Sequence, residues 1–448
     1  MMMKRDNSRG AFTSSFGVMM AVAGSAVGLG NIWRFPYLAG MNGGAAFLIL
    51  YLVLVVLVGL PLILAEFCIG RASGRGCVDS FKVLSPKTKW YRLGYLSVVA
   101  GFTILGFYSV IGGWTIRFLG HAITGFDPTT VVSDFHIFVN SGWWPLLFSA
   151  SFIAITMAIV ARGVEKGIEQ SSKILMPLLL IILVALCVNS MTLSGFTQGM
   201  SFLFEPDFSK ITTQTVLDAV GQVFFTLSIG MGVMITYSSY VHKQENMLRS
   251  KIKVTIIDTL VAIISGVAIF PAVFTYGLSP SEGPSLVFLA LPSVFAQMPF
   301  GNFIGVLFFA LLFIAAITSA VSIFEMLTAV FMEKYRLTRT RALFTIGGGV
   351  FLLSVLSALS QVEGSALRLF GINFFDFLDM LSSNYLLTLG GLLTAIFTGW
   401  FFGRRALRAV FTSDGRYSVR FFPVFLFIIK YVSPIAVAAV FLSKLGLI

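Results

Sequence analysis

Charge is what this sequence has least of. Of its 448 residues, 11% are Asp, Glu, Lys or Arg, against roughly 25% in a soluble globular domain. With 57% hydrophobic residues and a mean hydropathy of +0.92, a water-facing surface cannot be built around a core, and a soluble domain is excluded. Cysteine is also scarce. Cys68, Cys77 and Cys187 have neither disulfide nor metal-ligand spacing and read as packing residues. What is present instead is a series of apolar runs of about 20 residues, the length that crosses a bilayer as a helix. The net charge of +12 raises nucleic-acid binding, but the basic residues are segregated into alternate loops. Lys4, Arg5 and Arg9 precede an apolar run over 16–23 with an Ala21-x-Ala23 site, which has the outline of a signal peptide. That run is short, and Trp33-Arg34-Phe35-Pro36 leads straight into a second one, so cleavage is not expected.

The pattern predicts an all-α membrane protein with eleven spans: TM1 over 14–39, TM2 45–70, TM3 94–120, TM4 144–161, TM5 169–189, TM6 215–242, TM7 253–277, TM8 302–332, TM9 342–359, TM10 374–402 and TM11 421–443. Basic residues crowd the N-terminus and every second loop. Examples are Arg71, Lys82 and Arg92 after TM2, Lys166 after TM4, Arg249 and Lys251 after TM6, Arg336 and Arg341 after TM8, and Arg404, Arg408 and Arg416 after TM10. The positive-inside rule places that side and the N-terminus in the cytoplasm of a plasma (inner) membrane, and the C-terminus outside. The opposite loops 121–142, 190–214 and 278–300 are long, and 284–296 within the last is apolar enough for a re-entrant helix.

TM1 contains Gly24, Gly28 and Gly30, each costing a helix about 1 kcal/mol relative to Ala. TM6 contains Ser228-Ile229-Gly230-Met231-Gly232. Freed backbone groups in lipid have no water to bond, so breaks there make sense if the amides serve an anion and the carbonyls a cation. Broken helices at membrane depth mark ion-coupled transporters, and two breaks five spans apart imply an inverted repeat. The chain then divides into an N-terminal gate segment (1–13), a first repeat (14–189), an extracellular loop (190–214), a second repeat (215–402), and a last span with the C-terminus (403–448).

Several stretches now carry a resemblance: GSAVGLGNIWRFP (24–36), EFCIGR (66–71), GQVFFTLSIGMG (221–232), ITYSSY (235–240), LLFIAAITSAVS (311–322) and a Gly167-x9-Pro177 pattern. Together they resemble the neurotransmitter:sodium symporters, and within them the bacterial amino-acid transporters of the leucine-transporter type, a standing example of paired broken helices. The resemblance spans essentially the whole chain. It implies a 5+5 inverted-repeat fold with broken TM1 and TM6, two sodium ions as coupling ions, an amino-acid substrate, and no covalent chemistry, hence no enzyme.

The resemblance also implies a site. The Leu29 and Gly30 amides and the Tyr108 hydroxyl would hold the substrate carboxylate. A first sodium would lie between the Ala26 carbonyl, Asn31, Thr226 and that carboxylate. A second would lie between the carbonyls of Gly24, Val27 and Ala315 and the hydroxyls of Thr318 and Ser319. Without the motif, Asn31 would read as an interhelical hydrogen bond, Tyr108 as a satisfied core tyrosine, and Thr318-Ser319 as hydroxyls bonded to their own helix. Ile104, Tyr108, Ile111, Phe225, Ser228, Met231, Ala320 and Ile323 would line the side-chain pocket. Biogenic-amine relatives carry Asp where this chain has Gly28, so the substrate should bring its own carboxylate. Met231 and Ala320 favour a bulky aliphatic or aromatic side chain. A charge within a span is functional by default. Chloride-dependent relatives have Asn at Asp258 and Ser four residues on, where this chain has Ala262. Asp258 is therefore expected at or beside the first sodium, making transport chloride-independent, with proton antiport on the return step as a further expectation. The alternative for Asp258 is an ion pair with Lys251 or Lys253. Arg34 and Asp379 would form the extracellular gate over Phe225 and Tyr108, with Asp376 as a rival partner. Arg9 and Glu333, with Phe12, Ser14 and Tyr240, would form the cytoplasmic one. Gly167-x9-Pro177 would let the inner end of TM5 unwind. Glu66 and Glu325 read as buried network members.

The expected function is sodium-coupled import of a hydrophobic L-amino acid by alternating access, the bundle TM1, TM2, TM6 and TM7 rocking against a scaffold. Alternatives are an amino-acid-binding membrane sensor, which a long soluble signalling tail would favour and this sequence lacks, a channel, and a proton-coupled transporter of the same fold. Partners are the amino acid and the lipid bilayer, with no nucleic acid.

Overall fold

The computed structural model describes residues 11–241, 246–280, 286–417 and 420–444. Among the described residues nine helices are long and apolar enough to cross a membrane: Ala45–Ser73, Tyr91–Thr124, Trp143–Ala161, Val164–Ser190, Leu248–Thr275, Gly301–Tyr335, Arg339–Leu359, Phe374–Phe401 and Phe422–Ser443. They coincide with TM2–TM5 and TM7–TM11 to within a few residues, since each apolar run must satisfy its backbone internally. Gly301–Tyr335 packs along Tyr91–Thr124, and the latter also packs on Trp143–Ala161. A two-residue antiparallel pair, Arg368–Leu369 with Ile372–Asn373, joins Arg339–Leu359 to Phe374–Phe401. The expected re-entrant segment contains the helix Val287–Gln297.

The two remaining apolar segments are not single helices. The first starts at Ser15, with Ser14 as its cap, and ends at Ala26, where Val27 turns to ψ 106°. Helix resumes over Gly30–Met41, bent by 47° from the first piece. Gly24 thus lies inside a regular helix, and the interruption is confined to 27–29. The other segment is the helix Thr213–Thr226, begun by a reciprocal Thr212–Thr215 cap, and the helix Val233–Ser239. Between them Ser228, Gly230 and Gly232 adopt φ of +54°, +84° and +73°, a region that side chains disfavour and that breaks a right-handed helix. Gly230 is required twice, because a Cβ there would also lie 2.3 Å from the Leu387 carbonyl. Its backbone is supported from outside. Glu66 Oε1 accepts from the Gly230 amide at 2.7 Å, and Ser97 Oγ donates to the Gly230 carbonyl at 3.2 Å. Glu66, fully buried, replaces the helical partner that the amide has lost.

Candidate functional site

The two interruptions face each other. Ser228 Oγ donates to the Ser25 carbonyl at 2.9 Å, and Gln222 Nε2 donates to the Gly30 carbonyl at 2.7 Å. Between them lies a small cavity of about 20 Å³, lined by Ala26, Gly28, Gly30, Ile104, Tyr108, Phe225, Thr226, Ser228, Met231 and Ile323, together with Ser25 and Ser319. Ile111 and Ala320 are buried but are not among the lining residues. Leu29 meets the site through its backbone, its amide donating to the Tyr108 hydroxyl at 3.4 Å. Ser25 was not anticipated. It holds Ser322 at 2.9 Å, a contact between distant segments that no local pattern announces.

Beside the cavity, Asn31 and Asp258 form a buried polar pair. Asn31 Nδ2 donates to Asp258 Oδ1 at 2.8 Å and to the Asp258 carbonyl at 3.0 Å, while Asn31 Oδ1 accepts from the Gly28 amide at 3.0 Å. Asp258 is fully buried, and its Oδ2 has no hydrogen-bond partner among the described residues. Ion pairing with Lys251 or Lys253 does not occur: Lys251 Nζ sits 3.3 Å over the Phe67 ring, and Lys253 is exposed. A buried carboxylate with an orphaned oxygen is costly unless a cation joins it. Thr226 stands on the facing helix, its hydroxyl 3.3 Å from the Tyr51 hydroxyl. A second set of oxygens gathers one turn away. Ser319 Oγ lies 3.5 Å from the Gly24 carbonyl, Thr318 Oγ1 lies 3.1 Å from the Ala315 carbonyl, and a Cβ on Gly24 would lie 3.3 Å from Thr318 Cβ. Val27, fully buried, ends the same helix. These are hard oxygen donors suited to an alkali cation.

On the Arg34 side, Phe225 closes the cavity and the Arg34 guanidinium lies 4.8 Å over its ring. Arg34 does not touch Asp379. Its Nη1 donates to Ser383 Oγ at 3.1 Å, and that hydroxyl donates to Asp379 Oδ1 at 3.0 Å, so the expected pair is bridged by a serine. Asp376 is engaged elsewhere, taking the Asn373 side-chain amide at 2.7 Å.

On the opposite side, Phe12 is fully buried with its ring 5.8 Å from Tyr237. Tyr240 donates to Glu325 Oε1 at 2.7 Å, and Arg339 grips the same carboxylate at 2.6 and 3.1 Å. Glu325 therefore joins the helices of TM6 and TM8 to the start of TM9. Glu333 accepts from the Gly76 amide at 3.0 Å; its expected partner Arg9 lies outside the described residues. A further closure was not foreseen. Glu169, which is 1% exposed, accepts from the Thr13 amide at 2.7 Å, from Thr13 Oγ1 at 2.8 Å and from Ser14 Oγ at 2.9 Å, and pairs with Lys173 at 2.7 Å. It lies two residues beyond Gly167, so the segment expected to unwind holds the start of the first helix. The Ser/Thr run at 13–15 ahead of an apolar stretch was the available signal.

A helical protein of many apolar spans that holds a small cavity where interrupted helices meet, covered on both sides by side chains, is built as a membrane carrier. The chain belongs to the Sodium:neurotransmitter symporter family, whose sequence model matches residues 9–135 and 139–447. It is 37% identical over 441 residues to an uncharacterized sodium-dependent transporter of Bacillus subtilis (strain 168), covering 98% of each chain. It is also 37% identical to an uncharacterized sodium-dependent transporter of Haemophilus influenzae, covering 99% of this chain and 100% of that one. Among solved structures it resembles that of MhsT in complex with L-phenylalanine, with a TM-score of 0.92 and 43% identity over 97% of this chain and 100% of that one. The protein is accordingly a multi-pass membrane transporter of a sodium-dependent family.

Proposed function

We propose that this protein imports a bulky aliphatic or aromatic L-amino acid together with sodium, independently of chloride, by alternating access. The observation that carries the reading is the cavity at the meeting of two interrupted helices, flanked by a buried Asn31–Asp258 pair with a free carboxylate oxygen. The interrupted segments are the broken spans TM1 and TM6 of an eleven-span, 5+5 inverted-repeat fold, with the N-terminus cytoplasmic and the C-terminus outside. The substrate carboxylate binds the Leu29 and Gly30 amides and the Tyr108 hydroxyl. It shares the first sodium with the Ala26 carbonyl, Asn31, Thr226 and Asp258, so substrate and ion stabilise each other, which is coupling in the thermodynamic sense. The second sodium takes Gly24, Val27, Ala315, Thr318 and Ser319. Ile104, Ile323 and Met231 offer apolar surface to a large side chain, with Ile111 and Ala320 as a buried backing. The likeness to a structure holding L-phenylalanine supports that preference.

Transport then follows from what each contact can do. Substrate and sodium draw the two sets of helix ends together while Phe225 and the Arg34–Ser383–Asp379 chain close the outer side. Loss of the second sodium on the inner side frees Thr318 and Ser319. It also loosens the first helix, whose start is held by Glu169 through Thr13 and Ser14 and by the Tyr240 carbonyl, which accepts from the Phe12 amide at 3.4 Å. Each of these contacts is a hydrogen bond or a partly solvated ion pair, worth about 1–3 kcal/mol, small enough to break in every cycle.

Tyr108→Phe removes one donor to the carboxylate and leaves the Leu29 amide without its partner. Amino-acid affinity is expected to fall about tenfold, the value of one hydrogen bond to a charged group. Equilibrium binding of a radiolabelled hydrophobic amino acid checks this; an unchanged affinity would remove Tyr108 from the carboxylate site. Competition by the twenty amino acids for that binding tests the substrate class, and preference for small or charged side chains would overturn it. A sensor would show the binding without uptake.

A further inference from the structure

At the N-terminal end of the first helix a groove of about 770 Å³ opens between Ser14–Met19, the start of the helix Leu248–Thr275, and the turn at 416–417. It continues into a second space of about 410 Å³ that adds Leu248 and Ile252. Three cations line both: Arg249, Lys253 and Arg416. All three are exposed. Among the described residues no Asp or Glu lines the groove, and none of the three side chains forms an ion pair with a described residue. Three like charges converging on one concavity repel each other unless an anion joins them.

The shape beside the cations points to a lipid rather than to a free ion. Ile252, Ile256 and Leu260 are 37%, 52% and 48% exposed. At a spacing of four residues they form one apolar stripe on the helix that carries Arg249 and Lys253. Phe16, 50% exposed, flanks the groove from the first helix. Basic residues at the mouth of an apolar stripe, at the end of a membrane helix, are arranged as a phospholipid is. Each cation so placed favours an anionic headgroup by about a fivefold factor in affinity.

We propose that this groove binds one anionic phospholipid, its phosphate held by Arg249, Lys253 and Arg416 and an acyl chain lying along Ile252, Ile256 and Leu260. Only the leaflet, the cytoplasmic one, rests on the orientation proposed above. The groove wall at Ser14–Met19 belongs to the same segment that Glu169 and Tyr240 hold. A bound headgroup therefore ties the first helix to the start of Leu248–Thr275 and favours the closed inner side.

The test is lipid retention, which does not depend on transport. The full-length protein is reconstituted in a mixture of phosphatidylcholine and phosphatidylglycerol, extracted in mild detergent, and its retained lipid counted by native mass spectrometry. Wild type is expected to keep one phosphatidylglycerol in preference to phosphatidylcholine. Arg416→Gln alone should weaken retention about fivefold, and Arg249→Gln/Lys253→Gln/Arg416→Gln about a hundredfold. Arg404→Gln/Arg405→Gln/Arg408→Gln, on the same side of the membrane, should change nothing. Ile256→Thr should weaken the lipid but not inorganic phosphate. Equal retention of both lipids by wild type, or an unaffected Arg416→Gln and triple variant, would overturn the proposal. So would displacement of the lipid by millimolar inorganic phosphate with no effect of Ile256→Thr, which would identify a soluble anion as the occupant.

Discussion

Asp258→Asn is expected to lower sodium-dependent uptake in chloride-free buffer by about a hundredfold or more. Asp258 is fully buried. One oxygen takes the Asn31 amide at 2.8 Å, and the other has no hydrogen-bond partner among the described residues. Asparagine preserves the shape and the contact to Asn31 while removing the negative charge that Asp258 would bring to that side of the cavity. Two unit charges about 4 Å apart attract by about 4 kcal/mol at an effective dielectric of about 20, close to three powers of ten in affinity. Reorganisation and desolvation consume part of that, leaving about two. Ala262, also fully buried, lies one helical turn further along and has no hydroxyl to help hold a chloride. Asp258→Asn/Ala262→Ser is therefore expected to regain uptake when chloride is added, while the wild type stays indifferent to it. The readout is initial uptake in proteoliposomes with chloride or gluconate as the anion. A single variant that transports normally without chloride would remove Asp258 from the ion site.

Gly28→Ala is expected to cut amino-acid affinity by about tenfold to a hundredfold, and to do so unevenly. A Cβ at Gly28 would lie 2.3 Å from Ser319 Oγ and 3.3 Å from the Tyr108 hydroxyl. It would thus intrude between a residue assigned to the second sodium and one assigned to the carboxylate. The φ of Gly28 is not positive, so the backbone tolerates alanine and the fold should persist. The cost arises in the cavity, where overpacking amounts to about 1–3 kcal/mol. The methyl also takes room from the substrate. Phenylalanine-sized substrates should lose more than alanine-sized ones, shifting selectivity toward small side chains. Competition binding over a size series reads both effects. Equal losses across the series would mean that the methyl acts through Ser319 and the sodium rather than through pocket volume.

What the sequence made legible follows the strength of local physics. Nine spanning helices could be placed because a backbone in lipid has one inexpensive solution over some twenty apolar residues, and the observed ends at Ala45, Trp143, Leu359 and Phe374 fall where the apolar runs begin or stop. The interruptions were visible as glycine clusters, but Gly24 belongs to a regular helix. A single glycine costs about 1 kcal/mol, which packing overrides, and its closeness to Thr318 suggests that contact, not flexibility, selects it. Partnerships between distant side chains were the least legible. Ser383 between Arg34 and Asp379, Arg339 on Glu325, and Glu169 on Thr13 and Ser14 depend on how helices far apart in sequence are packed. The Glu169–Lys173 and Asp379–Ser383 contacts, each four residues apart, do carry a local signature. Motif resemblance supplied the proposed substrate and sodium residues, several of which, Gly24, Ala26, Val27, Leu29, Gly30 and Ala315, would act through backbone groups that any side chain could accompany.

The most direct test of the account is uptake of a radiolabelled hydrophobic amino acid into proteoliposomes carrying the purified protein, with an inward sodium gradient or with choline in its place. Accumulation above equilibrium driven by sodium, abolished by a sodium ionophore and unchanged by replacing chloride, is the predicted result. Binding without accumulation, or accumulation driven equally well by a proton gradient in the absence of sodium, would contradict it.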